Sequence, residues 1–265
     1  MKYGFIGGGN MGGAMAAAVI AAHGNDSVLL VDRDEQTTAK LAQKIGATAS
    51  TYEQIAAECR LVFIAVKPYL GRTALEQLRP ALQAREDAVC VVSIAAGVTI
   101  ADMQEVLGEG VSLIRMMQNT PVAVGEGMLV YALSPSADRS DAEALESALS
   151  CAGRITPLEE KLIDAATAVM GGGPAFAYMF VEALADGGVT CGLSRRDAQL
   201  YAAQMLLGAA KMVLETGEHP GALKDAVCSP GGSTIAGVRA LEESAFRGAV
   251  IDAVIDSYHR TQELK

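Results

Sequence analysis

The sequence predicts an α/β fold for the first half of the chain and an all-α fold for the second. Short, nearly continuous apolar runs alternate with helix-periodic segments as far as residue 150, the pattern of a parallel sheet covered on both faces. A glycine-rich turn directly follows the first of these runs. From Leu158 onward the strand signal stops and helical patterns dominate. At 265 residues, 51% of them hydrophobic, the chain is long and apolar enough for two domains, expected over 1–156 and 157–265.

The first run, Tyr3 to Ile6, ends in Gly7-Gly8-Gly9-Asn10-Met11-Gly12, and an alanine-rich helical pattern follows to Ala22. Glycines at 7, 9 and 12 match G-x-G-x-x-G, and the strand before and helix after supply the context that gives this spacing meaning. Gly7 permits a tight turn, Gly9 lets backbone N–H groups reach a pyrophosphate, and Gly12 lets the helix pack closely on the strand. The first half therefore reads as a Rossmann-type dinucleotide-binding domain, with Ile6, Gly7, Gly8, Gly9, Asn10 and Met11 expected against the cofactor.

The second strand, Ser27 to Val31, closes on Asp32-Arg33-Asp34. An acidic residue here accepts from both ribose hydroxyls and favours NADH, while an arginine suits a 2′-phosphate. Asp32 and Arg33 thus leave the choice between NADPH and NADH open. Segments 34–45 and 69–84 read as helices. The runs Leu61 to Val66 and Val89 to Ile94 end in Lys67-Pro68 and in Ala95-Ala96-Gly97. Strand C-termini are where ligands bind in open α/β sheets, so Ala65, Val66, Lys67, Pro68, Ala95, Ala96 and Gly97 join the expected cofactor site. A further strand, Val111 to Arg115, leads into a loop from Met116 to Gly127 that should face the same cleft. Met128 to Ala132 is expected as a strand, 138–150 as a helix, and Gly153 to Pro157 as the exit from the domain.

In the second half, helices are expected over Leu158 to Met170, to about Ala185, and from a Ser194 cap to about Glu215. In the last, Gln204, Gly208, Lys211 and Glu215 form one narrow polar stripe in a surface otherwise apolar or alanine. A helix apolar over most of its circumference must be covered on most sides, which predicts a homodimer, with a tight monomeric bundle as the alternative. The segment Lys224 to Ile235 breaks at Ser229-Pro230-Gly231-Gly232 and opens a helix at Ser233-Thr234. Unpaired N–H donors at a helix start suit a carboxylate or phosphate, and by itself the segment reads equally well as an ordinary N-cap and tight turn.

A formal net charge of −10 argues against nucleic acid or an anionic membrane surface as partner but not against a small-molecule substrate, even an anionic one, which needs only local donors. No uninterrupted apolar run reaches membrane-spanning length. The five cysteines, at 59, 90, 151, 191 and 228, have no metal-knuckle spacing. With no secretory pattern at the N-terminus, buried reduced thiols in a cytoplasmic protein are expected. Glu182 and Asp186, the three histidines and Arg247 are read as solvated, capping or interface groups. No metal site is expected.

These motifs together resemble pyrroline-5-carboxylate reductase over essentially the whole chain. The resemblance rests on the glycine loop, Ala65-Val66-Lys67-Pro68, Ser93-Ile94-Ala95-Ala96-Gly97, Asn119-Thr120-Pro121 with Val124-Gly125-Glu126-Gly127, and Ala185-Asp186-Gly187-Gly188. Most specific is the run from His219-Pro220 through Leu223-Lys224-Asp225 to Ser229-Pro230-Gly231-Gly232-Ser233-Thr234-Ile235. It implies NAD(P)H-dependent reduction of 1-pyrroline-5-carboxylate to L-proline by interlocked dimers, often built into larger rings, with the active site between a nucleotide domain and helical elements of the dimer. It also implies that Gly231, Gly232, Ser233 and Thr234 hold the substrate and that Thr234 is the catalytic hydroxyl.

The chain departs from the family's Ser-Gly-Ser-Gly-Pro at Met170-Gly171-Gly172-Gly173-Pro174 and from Met-Pro-Asn-Thr-Pro at Gln118. Many members carry Asn-Arg or Ser-Arg where this chain has Asp32-Arg33, which tilts the expectation slightly toward NADPH. A β-hydroxyacid dehydrogenase would need a lysine on the first helical segment, and Gly171 to Tyr178 has none. A nucleotide-sensing protein without catalysis would not need the Gly-Gly-Ser-Thr helix start.

Overall fold

The computed structural model describes residues 1–263. The chain divides into two compact units, Met1–Gly171 with Tyr258–Lys265, and Gly172–Ser257.

The first unit is built on an eight-stranded sheet in the order β3-β2-β1-β4-β5-β6-β7-β8. Its strands are β1 (Tyr3–Ile6), β2 (Val28–Val31), β3 (Thr48–Ala49), β4 (Leu61–Ile64), β5 (Cys90–Ser93), β6 (Ser112–Gln118), β7 (Gly127–Leu133) and β8 (Gly153–Pro157). The first six run parallel, β7 turns antiparallel to β6, and β8 returns parallel to β7. Between them run α1 (Asn10–His23), α2 (Glu35–Ile45), α3 (Tyr52–Glu58), α4 (Pro68–Gln83), α5 (Ile100–Leu107) and α6 (Arg139–Ala148).

Helices on both faces explain the unbroken apolar runs. Every residue of β1, β4 and β5 is buried, and the core forms one cluster on each side of the sheet. Phe5 and Phe63 are directly paired across β1 and β4 and stack 4.5 Å apart, an arrangement worth more than area burial alone.

Three expectations change here. Gly153 to Pro157 is a strand of the sheet rather than the way out of it. The first unit also runs beyond 156 to Gly171, because Ile163, Asp164 and Ala168 are buried against it. The expected helix over Leu158 to Met170 is broken. It comprises a 3-10 turn at Glu160–Leu162, the short α7 (Ile163–Ala166) and a π-turn at Thr167–Gly171. The Thr167 hydroxyl donates back to the Ile163 carbonyl at 2.7 Å, a bond that competes with regular helix geometry.

The second unit contains α8 (Gly173–Thr190), α9 (Arg195–Thr216), α10 (Pro220–Ala226) and α11 (Ser233–Glu243), and α12 (Phe246–Glu263) runs from it into the first. Ser194 caps α9 as expected, accepting from the Asp197 N–H. Within one chain α9 is almost bare, with only Ala198 and Ala202 buried, while Tyr201, Leu207 and Leu214 are each more than half exposed. The stretch Glu160–Thr190 is long and apolar enough, at mean hydropathy 1.3, to cross a membrane by length and composition alone. It is not one continuous helix, since the π-turn and the glycines around Gly172 interrupt it. The expectation of buried thiols holds for Cys59 and Cys90, whereas Cys151 and Cys191 are exposed.

Candidate active site

β1 delivers the chain to Gly7, whose N–H donates to the Val31 carbonyl at 2.8 Å. Gly7 has φ +109, and a Cβ there would lie 2.6 Å from the Ala65 carbonyl oxygen. Only glycine accepts both conditions. At Gly12 a Cβ would lie 2.3 Å from the Gly7 oxygen and 2.9 Å from the Ala65 Cβ. α1 is therefore seated directly on the turn that precedes it. We expect Gly12→Ala to cost about 1–3 kcal/mol by overpacking and to weaken dinucleotide binding about ten-fold or more. Thermal unfolding and calorimetric titration with NADH check the two effects separately.

The turn opens onto a cleft of about 1060 Å³ at the C-terminal edge of the sheet. Gly7, Gly9, Asn10, Met11, Asp32 and Arg33 line one part of it, and Ala65, Val66, Lys67, Pro68, Ala95 and Ala96 line another. Parallel strands ending at one edge bring these scattered segments together. Three expected residues fall off this wall. Ile6 is fully buried in β1, Gly8 faces a separate groove beside α1, and Gly97 begins the turn that carries the chain away to α5. The stretch expected as a loop from Met116 divides. Met116 to Gln118 extend β6, and Met117 and Gln118 line the cleft, while Val122 to Gly125 line the groove beside α1.

The cleft also holds residues that no local pattern marks, among them Tyr52, Tyr69 and Thr167. Burial, and next the charge of Asp32, push the Tyr52 hydroxyl above its ordinary range. Asn119 holds the π-turn in place: its Nδ2 donates to the Met170 carbonyl at 3.1 Å, and its Oδ1 accepts from the Met128 N–H at 2.9 Å.

The cleft fits a dinucleotide. At Gly9, the N-cap of α1, a Cβ would meet nothing within 4 Å, so the helix start is open to a phosphate. Gln118 is 6% exposed, and its Oε1 is buried without a partner among the described residues, an acceptor suited to a ligand amide or hydroxyl.

In the second unit, α11 opens at Ser233 as the sequence predicts. Gly231 has φ +68, and the Gly232 N–H donates to the Ser229 carbonyl at 3.0 Å. Gly232 caps α11 without a side chain. Gly232 is therefore not a free donor, whereas the N–H groups of Ser233, Thr234 and Ile235 lie in the first turn and lack intrahelical acceptors. Ser233 and Thr234 are exposed.

The residues set aside from catalysis have structural occupations. Asp186 pairs with Arg195 at 2.5 Å, Arg247 pairs with Glu242 at 2.6 Å, and His219 caps α10 by accepting from the Gly221 N–H. His23 lies near the Ser147 carbonyl and Tyr3.

Fold and cleft together define a dinucleotide-dependent oxidoreductase with an added helical unit. Residues 2–97 match the NADP oxidoreductase, coenzyme F420-dependent family model, and residues 160–264 match the pyrroline-5-carboxylate reductase dimerisation model. The chain is 42% identical over 275 residues to pyrroline-5-carboxylate reductase 2 of Bos taurus, covering 100% of this chain and 84% of that protein. A solved pyrroline-5-carboxylate reductase from Coxiella burnetii superposes at TM-score 0.91 with 30% identity, covering 100% and 98% of the two chains. One from Plasmodium falciparum, with NADP bound, superposes at 0.87 with 30% identity, covering 99% and 97%. The chain belongs to the pyrroline-5-carboxylate reductase family.

Proposed function

We propose that this chain catalyses the last step of proline synthesis, NAD(P)H-dependent reduction of 1-pyrroline-5-carboxylate to L-proline. The single observation that carries the reading is full-length similarity to reductases of that name, joined to an open glycine-capped helix start on the nucleotide cleft. The bound dinucleotide supplies the hydride. The protein's share is binding, orientation and electrostatics.

Each unit carries one part of that share. In the first, the N–H groups at the start of α1 suit the pyrophosphate, and Asp32 suits the ribose hydroxyls. Lys67 suits a phosphate or ribose oxygen. In the second, the N–H groups of Ser233 and its neighbours at the start of α11 suit the substrate carboxylate. Thr234 hydrogen-bonds the imine nitrogen, which gains electron density and a proton during reduction. A threonine hydroxyl is a weak acid, so its role is to orient the nitrogen and relay a proton.

The exposed apolar surface of α9 and the matched dimerisation model support a homodimer, alone or within a ring of dimers. Light scattering at micromolar concentration should give a mass of two chains or a multiple of two, and a monomer would overturn this part. The activity is tested by following NAD(P)H oxidation with 1-pyrroline-5-carboxylate. Absence of turnover in a folded sample that binds dinucleotide would sink the substrate assignment. Turnover of a β-hydroxyacid instead would point to the rival dehydrogenase class.

A further inference from the structure

We propose that the cleft discriminates between the two dinucleotides and takes NADH in preference to NADPH, with Asp32 as the discriminating residue. This rests on the reading of the cleft as a dinucleotide site and specifies its ligand.

The argument begins with how Asp32 is held. Its Oδ2 accepts from the Gly8 N–H at 2.7 Å, and its Oδ1 accepts from the Asp34 N–H at 3.3 Å. Its own N–H donates to the Thr38 hydroxyl at 2.8 Å, and Thr38 is buried at 5% exposure. Both carboxylate oxygens and the backbone are therefore tethered, and the side chain is fixed on the cleft wall. An ionised carboxylate offers about four lone-pair positions, so acceptor capacity remains for a pair of ribose hydroxyls. A 2′-phosphate has no proton of that kind to give at neutral pH and would meet the fixed charge directly.

The surroundings sharpen this. Asp34 accepts from the Gln36 N–H and the Thr37 hydroxyl at the cap of α2, which holds it in the charged form. Glu35 follows in the first turn. Asp32, Asp34 and Glu35 thus flank the lone cation of this short segment, Arg33. Arg33 is exposed and makes no ion pair among the described residues, so nothing locks it toward a phosphate. Gly8 has also given its N–H to Asp32, which leaves the pyrophosphate to the amides that open α1. The fixed acceptor is built into the glycine loop, whereas the arginine is not.

The test is calorimetric titration of the substrate-free protein with NADH and with NADPH, beside the Asp32→Asn variant. Asparagine keeps the size and one acceptor and removes the charge. NADH should bind the wild-type protein about ten-fold or more tightly than NADPH, and Asp32→Asn should shrink that ratio to within about three-fold, chiefly by tightening NADPH. Equal binding, or tighter NADPH binding, to the wild-type protein overturns the proposal even if the variant does not fold. So does an unchanged ratio in a folded variant. Binding of neither dinucleotide would remove the cofactor reading itself. Failure of imine reduction with normal binding would touch only the substrate assignment.

Discussion

Replacing Thr234 with alanine is expected to lower kcat about 10²-fold or more while leaving NADH affinity within about two-fold of wild type. Thr234 lies in the first turn of α11, exposed, in a helix whose N-cap is a glycine without a side chain. Among the described residues its hydroxyl makes no hydrogen bond that holds the helix start together, so its loss should not unfold the unit. In the proposed role the change removes the group that orients the imine nitrogen as it acquires its proton, and it leaves the nucleotide cleft of the first unit untouched. A loss in kcat that is carried equally into kcat/KM is the signature of an interaction made in the transition state. Thr234→Ser keeps the hydroxyl and should recover most of the activity. Steady-state kinetics on the three proteins decides the matter: turnover near wild type in the alanine variant removes Thr234 from the chemistry.

The largest effect on stability should come from Asp164→Ala, which is expected to cost about 3–5 kcal/mol and to lower Tm by about 10 °C. Arg115, in β6, is 3% exposed. Its Nη2 lies 2.7 Å from Asp164 Oδ1, and its Nη1 lies 3.6 Å from Glu160 Oε1. Gln262 Nε2 donates to the other Asp164 oxygen at 2.9 Å. Arg115 Nε already lacks a partner among the described residues. Glu160 is partly committed elsewhere, because its Oε1 also accepts from the Ile100 N–H at 2.8 Å. Without Asp164 the guanidinium would be buried with, among the described residues, only this long, shared ion-pair contact. Removing one member of such a pair costs far more than the pair contributes, since the charge left behind cannot reach water. Asp164 is also one turn ahead of Thr167 on the cleft wall, so dinucleotide binding should weaken in parallel. Calorimetric unfolding measures the first effect, and a shift below about 2 °C would show that Arg115 finds another partner.

The strands were legible because burial on both faces leaves an uninterrupted apolar run. Tyr3–Ile6 keeps its predicted limits, and Leu61 to Val66 and Val89 to Ile94 shorten only at their ends. The glycine loop was legible because each glycine answers a local contact, as Gly7 and Gly12 show. Strand β3 escaped notice because it has two residues, both exposed. Strand β8 was disguised by Gly153, Arg154 and Pro157, residues acceptable at the edge of a sheet. Helix α5 carries a readable start signal, the capping box of Thr99 with Asp102. The π-turn had none, since it depends on Asn119 from a distant loop and on the Thr167 back-bond. The same reason hid Tyr52 and Thr167. Each stands alone in sequence and reaches the cleft only through the order of strands in the sheet. Gln118 lies in the stretch the sequence assigns to the cleft, but its buried oxygen, without a partner among the described residues, appears only in three dimensions.

The return of the chain to the first unit at Tyr258 bears on how this protein can be recombined. The nucleotide unit is discontinuous in sequence, and Gln262, one of the side chains that satisfy its buried Asp164, arrives after the whole helical unit has been made. A hybrid that exchanges the helical unit with a relative's by a single crossover near Gly171 would import a foreign C-terminal segment opposite Asp164. Two crossovers, one after Gly171 and one after Ser257, would keep each unit's own residues together.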